Sequence, residues 1–244
     1  MEIYRSSATL KEINPALKEY YEYDTLEPYS LTYRDYDRAL KTLASLIQGR
    51  DLLEVGCGTG SFLKFAQSRG WRATGVDSSP ENIRELEKKG IRGIATGFLD
   101  YSPSESFDVV VLWDLIEHPQ DPFCFVEKAR ELLKRGGLLL IATPHDPNLL
   151  SNLATMAYRL SGGRIKFAAR QLYVIEHTSY FSIKTLSMLL ERANFKVVKA
   201  WKTETDLKRY YFSCFLRVVL YAAFFIAGRF GLQNRMIVIA KKSN

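Results

Sequence analysis

Between residues 51 and 144, short apolar runs alternate with helical patterns, and this alternation constrains the chain more than any other feature. The order is "DLLEVG", "SFLKFAQSRG", "RATGVD", "PENIRELEKKG", "GIATG", "FDVVVLWD", "PFCFVEKARELLKRGG" and "LLLIATP". A strand that reaches the next strand through a helix must run parallel to it, so the pattern predicts a parallel sheet with helices on both faces. Punctuation supports the boundaries. "SSPENIREL" offers a serine cap with Pro80 just inside a helix, and "KRGG" puts cations and glycine where a helix would end. Further on, "SIKTLSMLLERANF" reads as a helix, "KVVKAW" as a strand and "NRMIVIAKK" as a closing strand, for seven strands in all.

At 244 residues and 47% hydrophobic content, the chain suits one α/β domain with insertions rather than two domains. Residues 1–47 read as an N-terminal helical cap, because "SLTYRDYDRALKTLASLI" puts Tyr33, Tyr36, Leu40, Leu43 and Ile47 at helical spacing. Residues 48–148 form the alternating core, and 149–174 and 202–234 interrupt it as insertions. Cys57, Cys124 and Cys214 are too few and too scattered for a disulfide framework, and with only three histidines no ligand cluster suggests a tightly held metal. The start of the chain has no apolar core flanked by basic residues, so a cytoplasmic protein without a signal peptide is expected.

The glycine turn decides what the sheet is for. A strand that ends in a glycine turn and opens a helix presents backbone N–H groups and a positive helix end to a ligand. Dinucleotide loops follow GxGxxG, but here Gly56, Gly58 and Gly60 are spaced GxGxG and Ser61 stands where the third dinucleotide glycine belongs. Glu54 lies inside the strand just before the loop, where a carboxylate needs a cation or donors. Asp77 ends the second strand, in place to receive both hydroxyls of a ribose. An acid beside the loop and no phosphate-binding lysine suit a cationic cofactor without a pyrophosphate.

Together, "LLEVGCGTGSF", "GVDSSPENI", "FDVVVLWDLIEHPQDP" and "LLKRGGLLLIATPH" make the chain similar to the class I S-adenosylmethionine-dependent methyltransferases. The branch it most resembles includes the ubiquinone-biosynthesis O-methyltransferases and related small-molecule methyltransferases. The resemblance is strong over residues 48–146, weaker over "EHTSYFSIKTLSMLLERANF", and absent from the cap and the insertions. It implies a Rossmann-like, mostly parallel sheet whose last strand is antiparallel, with S-adenosylmethionine as cofactor. Glu54 would face the methionine end, with Gly56, Cys57, Gly58 and Gly60 around it. Asp77 would hold the ribose with Ser78 beside it, Leu99 and Asp100 would lie at the adenine, and Trp113 next to the sulfonium. Cys57 doubles as a small packing residue, since a catalytic thiol needs a base nearby.

Methyl transfer from a positive sulfur needs placement and exclusion of water, and a base only where the acceptor must lose a proton. His177 in "EHTSYF" and then His145 in "ATPH" are the candidates to orient or deprotonate an acceptor hydroxyl, while His118 matches a mainly structural position of the resembled family.

Charge is uneven along the chain. Residues 1–150 carry 18 Lys/Arg against 23 Asp/Glu, a net of −5, whereas residues 151–244 carry 16 against 4, a net of +12. This favours an anionic partner near the second part, or is simply a solvated basic surface. "YYFSCFLRVVLYAAFFIAG", Tyr210 to Gly228, is apolar almost all round and flanked by Lys208, Arg209, Arg229 and Arg235. Such a helix is buried in lipid, in protein or against a second subunit. Both insertions leave the carboxyl edge of the sheet and would roof the site, admitting a small-molecule or lipid-like acceptor at an anionic, peripheral membrane surface. Two alternatives stay open: a nucleic-acid methyltransferase, which the absence of an Asn or Asp followed by Pro-Pro after the fourth strand speaks against, and a non-catalytic, membrane-associated cofactor-binding protein.

Overall fold

The computed structural model describes residues 30–166, 177–207 and 214–243. One seven-stranded sheet organises them, formed by β1 (Asp51–Val55), β2 (Arg72–Asp77), β3 (Arg92–Ala95), β4 (Phe107–Trp113), β5 (Leu133–Pro144), β6 (Phe195–Thr203) and β7 (Arg235–Lys242). Their order across the sheet is β3-β2-β1-β4-β5-β7-β6. Pairs from β3 to β5 are parallel, and only β7 runs antiparallel, to β5 on one side and β6 on the other. The chain grows outward from β1 to β3 and then crosses back to lay β4 on the opposite side of β1. That reversal opens a crevice at the carboxyl ends of β1 and β4, where open α/β sheets bind ligands.

Among the described residues, seven helices cover the two faces and the carboxyl edge: α1 (Leu31–Leu46), α2 (Ser61–Ser68), α3 (Pro80–Lys88), α4 (Pro122–Leu132), α5 (Leu149–Leu160), α6 (Ile183–Arg192) and α7 (Cys214–Phe230). Side chains alternate across a strand, so each strand feeds two cores. Leu52, Val109, Val111, Leu138, Leu140 and Ile239 pack against α1, α2 and α3 through Tyr36, Leu40, Leu43, Phe62, Leu63 and Leu86. On the other face, Leu53, Val110, Leu112, Leu139 and Val238 meet Val126 and Ala129 of α4 and Leu186 and Leu190 of α6. Because the central strands are covered on both faces, they read as continuous apolar runs.

Local chemistry fixes helix starts, and the start of α3 falls where "SSPENIREL" predicts it. Ser30 accepts from the Tyr33 N–H at 3.1 Å, Ser79 caps the helix that Pro80 opens, and Asp121 accepts from the Phe123 N–H at 2.9 Å. One boundary differs. Helix α4 stops at Leu132, so "KRGG" does not end it but lies inside β5, where Gly136 takes φ 69° and the ladder with β4 shifts register between Phe107 and Val109. Lys134 is therefore a tether, its ammonium reaching Asp51 at 2.8 Å and Asp108 at 3.0 Å.

The insertions take definite shape where they are described. Asn148 and Ser151 form a reciprocal capping box that starts α5. The second insertion is the tip of a hairpin, since Thr203 of β6 pairs with Arg235 of β7 and the 204–234 segment leaves and returns at that rung. The Leu149 N–H donates to the Leu232 carbonyl at 2.9 Å, tying the two insertions together. Residues 1–29 of the expected cap, 167–174 of the first insertion, and Lys208, Arg209 and Tyr210–Ser213 ahead of α7 lie outside the described residues.

Candidate active site

The glycine loop joins β1 to α2 at the crevice. Gly56, Gly58 and Gly60 hold φ of 66°, 52° and 82°, a region that side-chain-bearing residues rarely enter. The Gly56 N–H donates to the Val76 carbonyl at 2.7 Å, which pins the loop to β2. A Cβ on Gly60 would fall 2.0 Å from Leu86 Cδ1, so this glycine lets α3 pack closely. A Cβ on Gly58 would meet nothing within 4 Å, so the middle of the loop faces open space that a ligand can fill.

Two acids flank that space. Glu54 is buried and its Oε2 has no hydrogen-bond partner. Burial first, and then the nearby Asp77 and Asp114, push its carboxyl well above the usual range. A buried orphan acid of this kind is stabilised by a cation delivered to the loop. Asp77 instead braces the loop: its Oδ2 accepts from the Gly58 N–H at 2.9 Å, and its Oδ1 from the Ser79 N–H at 2.8 Å and Asn82 Nδ2 at 3.2 Å. Each carboxylate oxygen has two lone pairs, so Oδ2 keeps acceptor capacity for a hydroxyl beside Gly58. Ser78 next to it is exposed, while Cys57 is buried and burial pushes its thiol up, which suits packing. The loop and its two acids therefore fit a cationic ligand that carries hydroxyls.

Trp113 closes the crevice at the end of β4. Its ring stacks on Phe62 at 5.2 Å and meets Tyr36 edge-on at 4.7 Å, so α1 and α2 both hold it in place. Leu99 and Asp100 sit in a short 3-10 turn, Phe98–Asp100, after β3, where buried Phe98 packs on Phe125 and leaves Leu99 half exposed.

The two histidine candidates are placed differently. His145 is buried at the end of β5, its N–H donating to the Asn234 carbonyl and its own carbonyl accepting from Asn148 Nδ2. Burial, and then Lys202, hold its imidazole toward the neutral form. His177 is half buried and meets His118 edge-on, the ring centroids 4.9 Å apart.

Several polar residues of the site were not legible in the sequence. Asp114 takes φ 51° and receives Arg235 Nη2 at 2.6 Å, so Arg235 lies inside the protein and is not one of the surface cations flanking the apolar helix. Beside Trp113 is a polar cavity of about 10 Å³, lined by Thr32, Asp35, Glu204, Asp206 and Arg235. Burial raises Asp35 to about 6 and Glu204 to about 7. Glu117 is 2% exposed, accepts from the Thr143 hydroxyl at 2.9 Å, and is raised to about 8 by burial and Asp114. Contrary to the expectation that no ligand cluster exists, Glu117, His118 and His177 bring one ligand atom each to within 4.8 Å of one another. Residues 118 and 177 are far apart in sequence, and only the fold joins them.

Comparison with known proteins agrees with this geometry. Residues 29–200 match a family model described as a methyltransferase domain. Over 130 residues the chain is 31% identical to a ubiquinone biosynthesis O-methyltransferase of Bradyrhizobium sp. (strain ORS 278), covering 48% of this chain and 51% of that protein. Over 184 residues it is 29% identical to an uncharacterized protein of Methanocaldococcus jannaschii, covering 75% and 81%. The chain spans about half the length of the O-methyltransferases it matches. Among solved structures, magnesium protoporphyrin IX methyltransferase from Synechocystis PCC 6803 with bound SAH shares the fold, with a TM-score of 0.61 at 15% identity over 98% of this chain and 96% of that one.

Proposed function

We propose that the chain, which belongs to the family described as a methyltransferase domain, takes S-adenosylmethionine as its donor and moves the methyl group to the oxygen of a lipid-like acceptor met at an anionic membrane surface. The donor supplies a methyl on a positively charged sulfur, so the protein's own work is binding, alignment and exclusion of water. Glu54 offers its charge beneath the loop, Asp77 Oδ2 offers an acceptor to the ribose, and Trp113 walls the side toward the acceptor. His177, half buried, stands better placed than the buried His145 to meet an acceptor hydroxyl.

The observation that carries the acceptor reading is the surface of α7. Phe215, Phe225 and Phe230 are 81%, 73% and 75% exposed, and α5 next to it exposes Leu153, Met156 and Leu160. Contiguous exposed apolar side chains mark a docking surface. Arg159, Arg164, Lys166 and Arg229 are exposed around them, which favours anionic lipid headgroups. Among the described residues, no helix is long and apolar enough to cross a membrane.

The test is transfer of labelled methyl from S-adenosylmethionine into a lipid extract, with product analysis, alongside flotation with anionic liposomes. An O-methyl lipid and salt-sensitive flotation are expected. An N-methyl product, or label found only in nucleic acid, overturns the reading.

A further inference from the structure

We propose that the groove between α1 and β6 binds a phosphate group carried by a small organic molecule or a lipid headgroup. The site goes beyond methyl transfer and stands on its own side chains whichever acceptor is correct. The groove encloses about 430 Å³, and its lining includes Tyr33, Arg34, Asp37 and Arg38 of α1 with Lys202 and Thr203 of β6. Pockets of about 300–1,000 Å³ suit a small organic ligand, so there is room for more than the phosphate itself. Two bonds hold the walls in place: the Thr203 hydroxyl donates to Asp35 Oδ1 at 3.0 Å, and the Leu31 N–H donates to Asp206 Oδ2 at 3.1 Å. The groove is thus shaped by contacts that do not depend on a ligand.

Charge selects the ligand. Arg34 and Arg38 stand one helical turn apart on α1, a like-charge pair that is unfavourable on a helix face, and Lys202 adds a third cation from β6. Among the described residues neither guanidinium forms an ion pair. Arg38 lies over the Trp201 ring, 4.7 Å from its centroid, which orients its fork and leaves the N–H edge for a ligand. Lys202 Nζ donates to the Gly231 carbonyl at 2.6 Å and keeps further protons to give. Tyr33 Oη accepts from Arg69 Nη2 at 3.1 Å, so its own proton can be donated as well. The acids of the lining do not cancel these cations: Asp37 is held by Lys41 at 2.6 Å and Arg69 at 3.0 Å, and Asp35 is buried against Thr203 and Arg235. Two planar forks and an ammonium match the several terminal oxygens of a phosphate, whereas a carboxylate would engage one fork only.

Full-length protein is titrated by calorimetry with glycerol phosphate and with inorganic pyrophosphate, and tested by flotation with phosphatidylcholine vesicles carrying phosphatidate. One bound phosphate group per chain is expected, with affinity weakened by at least about tenfold in Arg34→Gln with Arg38→Gln. Both side chains are exposed, and a thermal melt checks the fold of the double variant; if it unfolds, Arg34→Gln alone decides. Arg38→Lys, which keeps the charge and loses the fork, should weaken binding by a smaller factor. Uptake of the soluble probes assigns a small-molecule ligand, and binding to the vesicles alone, weakened by the same double variant, assigns a headgroup. No saturable binding of either kind up to millimolar phosphate, binding unchanged in the double variant, or an equal loss in Lys196→Gln with Lys199→Gln, elsewhere on β6, would each overturn the site. None of these readouts requires methyl transfer, so a failed acceptor assay and a failed phosphate site are distinguishable.

Discussion

Helices α2 and α7 are both rich in apolar residues, yet they solve opposite problems. Helix α2, eight residues long, buries Phe62, Leu63, Phe65 and Ala66, and through Phe62 it holds Trp113 at the crevice. Helix α7, seventeen residues long, buries only Phe224 and Ala227. The glycine-loop side of the sheet is thus finished by the protein's own packing, while α7 presents apolar surface outward. Apolar content therefore does not by itself say that a helix belongs to a core; its periodicity does. A narrow apolar stripe meets a sheet, whereas an all-round apolar surface outlasts what the fold can cover.

This contrast can be broken by substitution. The largest effect is expected for Phe62→Ala, which removes contacts to both Tyr36 and Trp113 and should cost about 3–5 kcal/mol in denaturant unfolding. Next comes Glu54→Gln. The folded carboxyl is raised above its unfolded value, so its contribution to stability is complete below about pH 4.5 and is lost as pH rises toward the folded value. At pH 7 the glutamine variant should therefore be more stable without donor, by about 1–3 kcal/mol, yet bind S-adenosylhomocysteine more weakly by calorimetry. A variant less stable at pH 7 would show that the acid is satisfied by the fold itself.

A smaller effect belongs to the roof side. Glu204 is raised to about 7, so its contribution is present below about pH 4.5 and lost as pH rises through 7. Melting temperatures of Glu204→Gln should fall less than those of the parent protein across that window. The smallest stability effect is expected in α7, where Phe215→Ser with Phe225→Ser should change unfolding by no more than about 0.5 kcal/mol per site while abolishing flotation with anionic liposomes. A large loss of stability there would mean that α7 is packed in solution, against a second copy for example.

What the sequence revealed followed from range. The β1 strand, its glycines and the opening of α2 are contiguous, so spacing alone separates this loop from a dinucleotide loop. Ser79 caps α3 by a bond three residues along the chain, and it was legible for the same reason. The misreadings involve tertiary neighbours. "KRGG" looked like a helix end, but Lys134 is drawn into the β5 ladder by Asp51 and Asp108 from other strands. Arg235 looked like a surface cation and is held inside by Asp114, 121 residues away. Glu117 and His177 could not be paired on paper, because their meeting depends on how the segment after β4 docks against the one before α6.

The rung that joins Thr203 to Arg235 has an evolutionary consequence. Because the 204–234 segment departs from and returns to a single pair on neighbouring antiparallel strands, its length and composition can change without shifting any other strand's alignment. A graft of one hairpin tip between relatives thus exchanges the 204–234 segment and leaves the glycine loop, its acids and Trp113 as inherited equipment.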